Sequence, residues 1–293
     1  MMPDQHEARA GWPIARRVLV VAVAVALLGG SVLMALRAAG EKLVYFPKPL
    51  APGAAQAILA RHPRVVEVSI AAQDGARLHG WRVPAGAGPA ARPLALYFGG
   101  NAEEVSWMLE FSAVFAGWDL ALLNYRGYGL SGGKPSERHL LADALAIYDH
   151  LVRQPDIDPA RVAVIGRSLG SGVASYLASR RPVAGVLLIT PFDSITEIAR
   201  NFYPFLPVRW ALGDLYDSAA LAPAIDAPLR MIVAGRDEII PGRNSQRLFE
   251  AWRGPKVQTI IADAGHNDLQ RYREYWQAIQ DFLQTSKADA KSR

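Results

Sequence analysis

An α/β fold, built on a mostly parallel sheet of eight strands with helices on both faces, is what this 293-residue chain predicts. Three observations carry that expectation. Short apolar runs alternate with longer segments of helical period through most of the chain. A sharp turn, Gly166-Arg-Ser-Leu-Gly170, stands between one such run and one such helix. Only one insertion, 194–216, breaks the strand–helix rhythm.

The elements follow in order. After an N-terminal tail, 1–17, Val18 to Leu36 carries no charge and is about the length needed to cross a bilayer core. Arg16-Arg17 precede it, Arg37 follows it, and Trp12 stands where an interfacial anchor would. The run predicts an uncleaved single-pass anchor; a secretory signal cleaved after Ala38-Ala39-Gly40 is the competing reading, but its apolar core is usually shorter. Arg9, Arg16 and Arg17 on one side balance Arg37, Lys42 and Lys48 on the other, so charge does not orient the span. In a bacterial cell the domain is expected outside the cytoplasm.

A linker, 37–60, leads to one α/β domain over 61–285, and the charged tail 286–293 is expected to be solvated and disordered. Arg64 to Ile70 and Arg77 to Val83 alternate apolar and polar residues around Asp74-Gly75, which predicts an antiparallel hairpin. Strand Leu94–Phe98 then precedes helix Asn101–Phe115, and strand Leu120–Asn124 precedes helix Arg138–Val152. Strand Arg161–Ile165 meets helix Gly172–Ser179 across the sharp turn. Strands Val186–Ile189, Leu229–Ala234 and Val257–Ile261 follow, the last two with helices Asn244–Trp252 and Asn267–Leu283. The insertion carries Phe202, Tyr203, Phe205, Trp210 and Tyr216, with Pro204 and Pro207 as breakers. It reads either as an apolar lid that receives an acyl chain or as a cap packed on its own aromatics.

The turn carries the chemistry. Gly-x-Ser-x-Gly between a strand and a helix is a nucleophile elbow, which lifts a serine hydroxyl above the sheet and makes Ser168 the candidate nucleophile. Gly129-Leu-Ser-Gly-Gly133 matches the same pattern, and Gly127, Gly129 and Gly132 spell a dinucleotide-binding fingerprint. No helix follows them, because Gly132, Gly133 and Pro135 oppose one, so Tyr125 to Gly133 reads as a surface loop with Ser131 the reserve nucleophile.

A serine needs a base, and the base needs an acid to fix its tautomer. Of six histidines, His6, His62, His79, His139 and His150 read as solvated or structural. His266 lies in a loop between the last strand and the last helix, at a strand's carboxyl end, and is the candidate base. Asp237, also just past a strand's carboxyl end, is the candidate acid; Glu238, Asp193 and Asp268 compete with it. Backbone N–H groups of Leu169, after the serine, and of Asn101, in the Gly99-Gly100-Asn101 loop, are the candidate oxyanion donors, with Gly100 as the alternative to Asn101.

Composition excludes other chemistries. The chain has no cysteine, hence no disulfide, thiol nucleophile, thiolate metal site or lipoprotein anchor. The net charge of +5 is scattered among acids rather than gathered in a stripe, so nucleic acid is not an expected partner. No metal or organic cofactor is expected.

Taken together, Leu43-Val-Tyr-Phe-Pro47, Asn124-Tyr-Arg-Gly-Tyr-Gly-Leu-Ser131, the elbow, Asp193-Ser194, Tyr203-Pro204, Leu206-Pro207, Tyr216-Asp-Ser218 and Gly265-His-Asn-Asp268 resemble the α/β-hydrolase superfamily. Within it they resemble the membrane-anchored Bem46-like and α/β-hydrolase-domain depalmitoylase branch. The resemblance implies hydrolysis of an acyl ester or thioester on a small or lipid-like substrate. A peptidase or amidase on the same triad, and a catalytically silent membrane-tethered binding protein, are the alternatives. Two departures stand out: Gly99 replaces the histidine that relatives commonly carry before Gly-Asn, and Asn124 stands where relatives usually have Asp.

Overall fold

The computed structural model describes residues 14–86, 90–205, 207–212 and 215–289. Its eight strands are β1 (Val66–Ala71), β2 (Arg77–Val83), β3 (Arg92–Phe98), β4 (Asp119–Leu123), β5 (Ile157–Arg167), β6 (Gly185–Ile189), β7 (Leu229–Ala234) and β8 (Lys256–Ile261). They form one sheet in the order β1-β2-β4-β3-β5-β6-β7-β8, and only β2 runs against the rest. The chain is therefore α/β, as its alternating pattern predicts.

Helix α1 (Ile14–Val44) precedes the domain and α2 (Ala54–Arg61) leads into the sheet. Helices α3 (Glu137–Leu151), α4 (Leu169–Arg180), α5 (Ile195–Phe202), α6 (Val208–Leu212), α7 (Ser218–Leu221), α8 (Gly242–Ala251) and α9 (Arg273–Asp289) follow. Because successive side chains on a strand point to opposite faces, β5 feeds two cores at once. Val162 and Val164 pack with Leu140 and Ile147 of α3 and Val173 and Leu177 of α4. Ala163 and Ile165 pack with Met108 and with Tyr275 and Ile279 of α9 on the other face.

Four sequence expectations change. The helix expected over Asn101–Phe115 is a 3-10 helix, Val105–Phe115, that starts later because the Glu104 carboxylate accepts from Ser106 N–H. Helix α4 starts at Leu169 rather than Gly172, because the small residues there let it begin directly at the elbow. The linker 37–60 holds the end of α1 and α2 up to Ala60. At the other terminus α9 runs on to Asp289 with Ser286 buried, so the helix enters the segment expected as a tail; 290–293 lie outside the described residues, as does the tail 1–13.

Among the described residues no helix is long and apolar enough to cross a membrane. The described side chains of α1 are continuous only over 16–32, and the end of the expected 18–36 span lies outside them.

Candidate active site

The elbow owes its shape to two glycines. A Cβ at Gly166 would stand 2.2 Å from the Gly170 carbonyl oxygen, and one at Gly170 would stand 2.1 Å from that of Phe98. With both flanks reduced to backbone, β5 turns straight into α4 and Ser168 is held at φ 50°, ψ −116°, outside the favoured regions for a side chain. Ser168 N–H is tied to the Ile189 carbonyl at 2.9 Å, which fixes the turn against β6.

His266 follows β8 and Asp237 follows β7, so both loops rise at the same carboxyl edge as the elbow. His266 Nε2 lies 3.0 Å from Ser168 Oγ, and His266 Nδ1 lies 2.8 Å from Asp237 Oδ2. The other carboxylate oxygen, Asp237 Oδ1, accepts N–H bonds from Ile239 at 2.9 Å and Ile240 at 2.7 Å. An ionised carboxylate only accepts, so Asp237 places the ring proton on Nδ1 and leaves the Nε2 lone pair facing the serine hydroxyl. Imidazole and carboxylate are both buried, which holds them in that geometry.

The competing acids are engaged elsewhere. Asp193 accepts from Asn244 and Arg247, and Asp268 accepts from Gly265 N–H at 2.7 Å. Glu238 packs against Gly265 rather than the imidazole nitrogens. Ser131 bonds the backbone of His79 and Asn124, with no imidazole nitrogen on its hydroxyl. His79 itself is buried and paired with Glu67 at 2.9 Å, and burial lowers its pKa.

No protein-family model matches the chain. It is 39% identical to Uncharacterized protein Rv2307c of Mycobacterium tuberculosis, over 91% of this chain and 95% of that one. It is 31% identical to the Arabidopsis thaliana Alpha/beta hydrolase domain-containing protein WAV2, over 83% of this chain and 87% of that one. The chain belongs to the α/β-hydrolase family. Solved structures agree on the fold: the α/β hydrolase GrgF from Penicillium (TM-score 0.65, 18% identity) is matched over 76% of this chain and 99% of that one. The Pyrococcus furiosus esterase Pf2001 (TM-score 0.63, 18% identity) is matched over 82% and 96%.

In this α/β-hydrolase the loop 99–102, beside Ser168, is built around a residue the sequence did not single out. Glu103 is 7% exposed and its four acceptor positions are filled. Oε1 accepts from Tyr97 Oη at 2.7 Å and Trp107 Nε1 at 2.8 Å; Oε2 accepts from Gly100 N–H at 2.7 Å and Arg167 Nη1 at 2.8 Å. Gly100 N–H is thereby spent, which removes it as an oxyanion donor. Among the described residues the Asn101 N–H meets no acceptor, and the Leu169 N–H, first in α4, has none within its helix. Ala102, next to Asn101, holds a left-handed φ of 55° that turns the loop.

Glu103 also bears on the first family departure: a Cβ at Gly99 would stand 3.0 Å from Val105 Cγ1 and 3.1 Å from the Glu103 carboxylate, so a side chain there would require both to shift. Asn124, the second departure, donates from Nδ2 to Glu104 Oε1 at 2.9 Å and accepts from Val105 N–H at 3.2 Å. An aspartate at 124 would face Glu104 charge against charge; the amide supplies the donor that the carboxylate needs.

Burial works against the charge of Arg167, yet the adjoining Glu103 carboxylate outweighs it and raises the arginine's pKa. Burial, reinforced by Glu103, likewise pushes the Tyr97 hydroxyl well above its ordinary value, so it remains a donor. The stretch expected as a surface loop is in part a buried brace. Tyr125 Oη donates to the Gly99 carbonyl and Tyr128 Oη to Asn101 Oδ1, each at 2.7 Å. Apolar neighbours make both rings buried, a role its glycines concealed.

Ser168 and His266 open into a cavity of about 600 Å³, whose apolar lining includes Phe46, Trp107 and Ile239. That volume suits a small-molecule substrate. Among the described residues none of the insertion 194–216 lines it. Phe202, Tyr203, Phe205 and Trp210 stand exposed, whereas Tyr216, the fifth aromatic of the insertion, is buried in the core.

Proposed function

We propose that this α/β-hydrolase is a serine hydrolase that cleaves an acyl ester or thioester through an acyl-enzyme. The observation that carries the reading is the relay from Ser168 Oγ through the imidazole of His266 to Asp237, with links of 3.0 and 2.8 Å. Ser168 Oγ attacks the acyl carbonyl while its proton passes to His266 Nε2, and Asp237 stabilises the imidazolium that results. The developing oxyanion is received by the N–H groups of Asn101 and Leu169. Collapse of the tetrahedral adduct expels the alcohol or thiol, which takes the proton from Nε2. Water then repeats the sequence on the acyl-serine and releases the acid.

The motif set supports a place in the Bem46-like branch. The uncharged run 18–36 supports anchoring of the protein to a membrane through α1, and the exposed side chains of Val18, Leu19, Val25, Leu27 and Leu28 add apolar surface that water disfavours. Extracytoplasmic placement follows only for a bacterial cell. Because α1 ends at Val44 and Phe46 lines the cavity, the catalytic mouth would then open near the lipid surface.

A panel of p-nitrophenyl esters, acyl thioesters and peptide amides tests the chemistry. Turnover of the first two with burst kinetics is expected, whereas turnover of amides alone, or of none, would overturn it. Carbonate extraction of membranes tests the anchor: full-length protein is expected in the pellet, and a soluble protein beginning near Glu41 would contradict it.

A further inference from the structure

We propose that Phe46 sets the acyl-chain preference of the site, and that the Asn101 side chain is the latch that keeps Phe46 over the cavity. The inference rests on the acyl-hydrolase reading and names the residue that would select its substrate.

The wall in question comes from outside the sheet. Residues 45–50, between α1 and α2, form a strap that crosses the carboxyl edge and contributes Phe46 and Lys48 to the cavity lining. Phe46 is 61% exposed, so it presents free apolar surface in a cavity that also holds Ser168. A long acyl chain that reaches the ring gains by covering it; an acetyl group has little to cover it with.

The strap is held at several points: the Tyr45 and Tyr216 hydroxyls bond at 2.9 Å, and the bonds at Phe46 itself run to one side chain. Phe46 N–H donates to Asn101 Oδ1 at 3.0 Å, and Asn101 Nδ2 donates to the Val44 carbonyl. Tyr128 Oη donates to the same Oδ1 at 2.7 Å and so orients the amide. Further along, Gly129 N–H donates to the Lys48 carbonyl at 2.9 Å, and Leu50 N–H to the Gly129 carbonyl at 3.0 Å. Asn101 therefore serves two purposes: its backbone N–H, which meets no acceptor among the described residues, is the oxyanion donor of the proposed mechanism, and its side chain holds the wall. Reaction centre and chain-length wall are set from a single residue, while among the described residues the aromatic insertion does not line the cavity.

The test is kcat/KM for p-nitrophenyl octanoate and p-nitrophenyl acetate, measured on the full chain. Phe46→Ala is expected to lower the octanoate-to-acetate ratio about tenfold through KM, as loss of a hydrophobic contact predicts. Phe46→Leu should restore most of the ratio. Tyr128→Phe, which removes one bond to the latch and keeps the ring, should lower the ratio about threefold. A Phe46→Ala ratio within about twofold of the parent, or a loss confined to kcat, overturns the assignment of Phe46. An unchanged ratio in Tyr128→Phe overturns the latch. Labelling of the parent protein by a fluorophosphonate, run alongside, separates the two readings: no label removes the hydrolase itself, whereas label with an unchanged ratio removes only the wall.

Discussion

Two buried carboxylates bound by arginine sit at opposite ends of the sheet, and they serve different ends. At the amino end Asp119, fully buried, is clasped by Arg82 and by Arg92, whose Nε donates at 2.7 Å; Asp156 bonds the same two arginines. That knot joins the starts of β3 and β4 to the end of β2, and no residue of it lines the cavity. At the carboxyl end Glu103 binds one arginine, but it also holds the 99–102 loop through Gly100 and reaches the residue before Ser168 through Arg167. The same ionic chemistry fastens strands at one end and braces a loop beside Ser168 at the other. What differs is the backbone nearby: closed strand starts in one case, a strained loop and elbow in the other.

The contrast can be broken by substitution. Removing one member of a buried ion pair leaves an uncompensated charge, so Asp119→Ala should cost about 3–5 kcal/mol of stability in a denaturant titration. Its folded fraction should keep the parent kcat; a matching collapse of kcat in the folded fraction would erase the distinction. At the other end, Glu103→Gln should cut kcat by about 10- to 100-fold, the scale of a misplaced oxyanion donor, with a smaller change in stability. Parent kcat in Glu103→Gln would show that Glu103 is only another structural knot.

A third pair, between buried Arg126 and exposed Asp74, sharpens the comparison and has the smallest effect. Hydrogen bonds from Arg126 hold the Asp74 carboxyl down to about 2. Since the folded value lies below the ordinary value near 4, this contribution is complete above about pH 4 and is lost as pH falls through about 2. Asp74→Asn should therefore flatten the melting-temperature profile between about pH 4 and 2 and leave it unchanged near neutrality. A parent-like slope in the variant would assign the acid sensitivity to other groups.

Much of this was legible from residue order, and the part that was not has a common cause. The elbow, the three polar side chains that converge and the parallel sheet all follow local rules: strand period, glycine at a sharp turn, loops at strand carboxyl ends. Glu103 escaped because its partners lie up to 64 residues away, and Asn101-Ala-Glu-Glu104 reads locally as an acidic helix start. Tyr125 and Tyr128 escaped because the glycines around them signal a turn, and only tertiary packing shows that the rings are inside. The insertion read equally as a lid or as a self-packed cap, and among the described residues none of it lines the cavity, whereas Phe46 does, in a strap bonded through Asn101, Gly129 and Tyr216.

The central claim is that Ser168 is a nucleophile activated by His266, and fluorophosphonate labelling read by intact mass and peptide mapping addresses it most directly. One adduct per chain on Ser168 is expected, absent in Ser168→Ala and slowed by orders of magnitude in His266→Ala. An adduct that persists in Ser168→Ala, or labelling at the parent rate in His266→Ala, contradicts it.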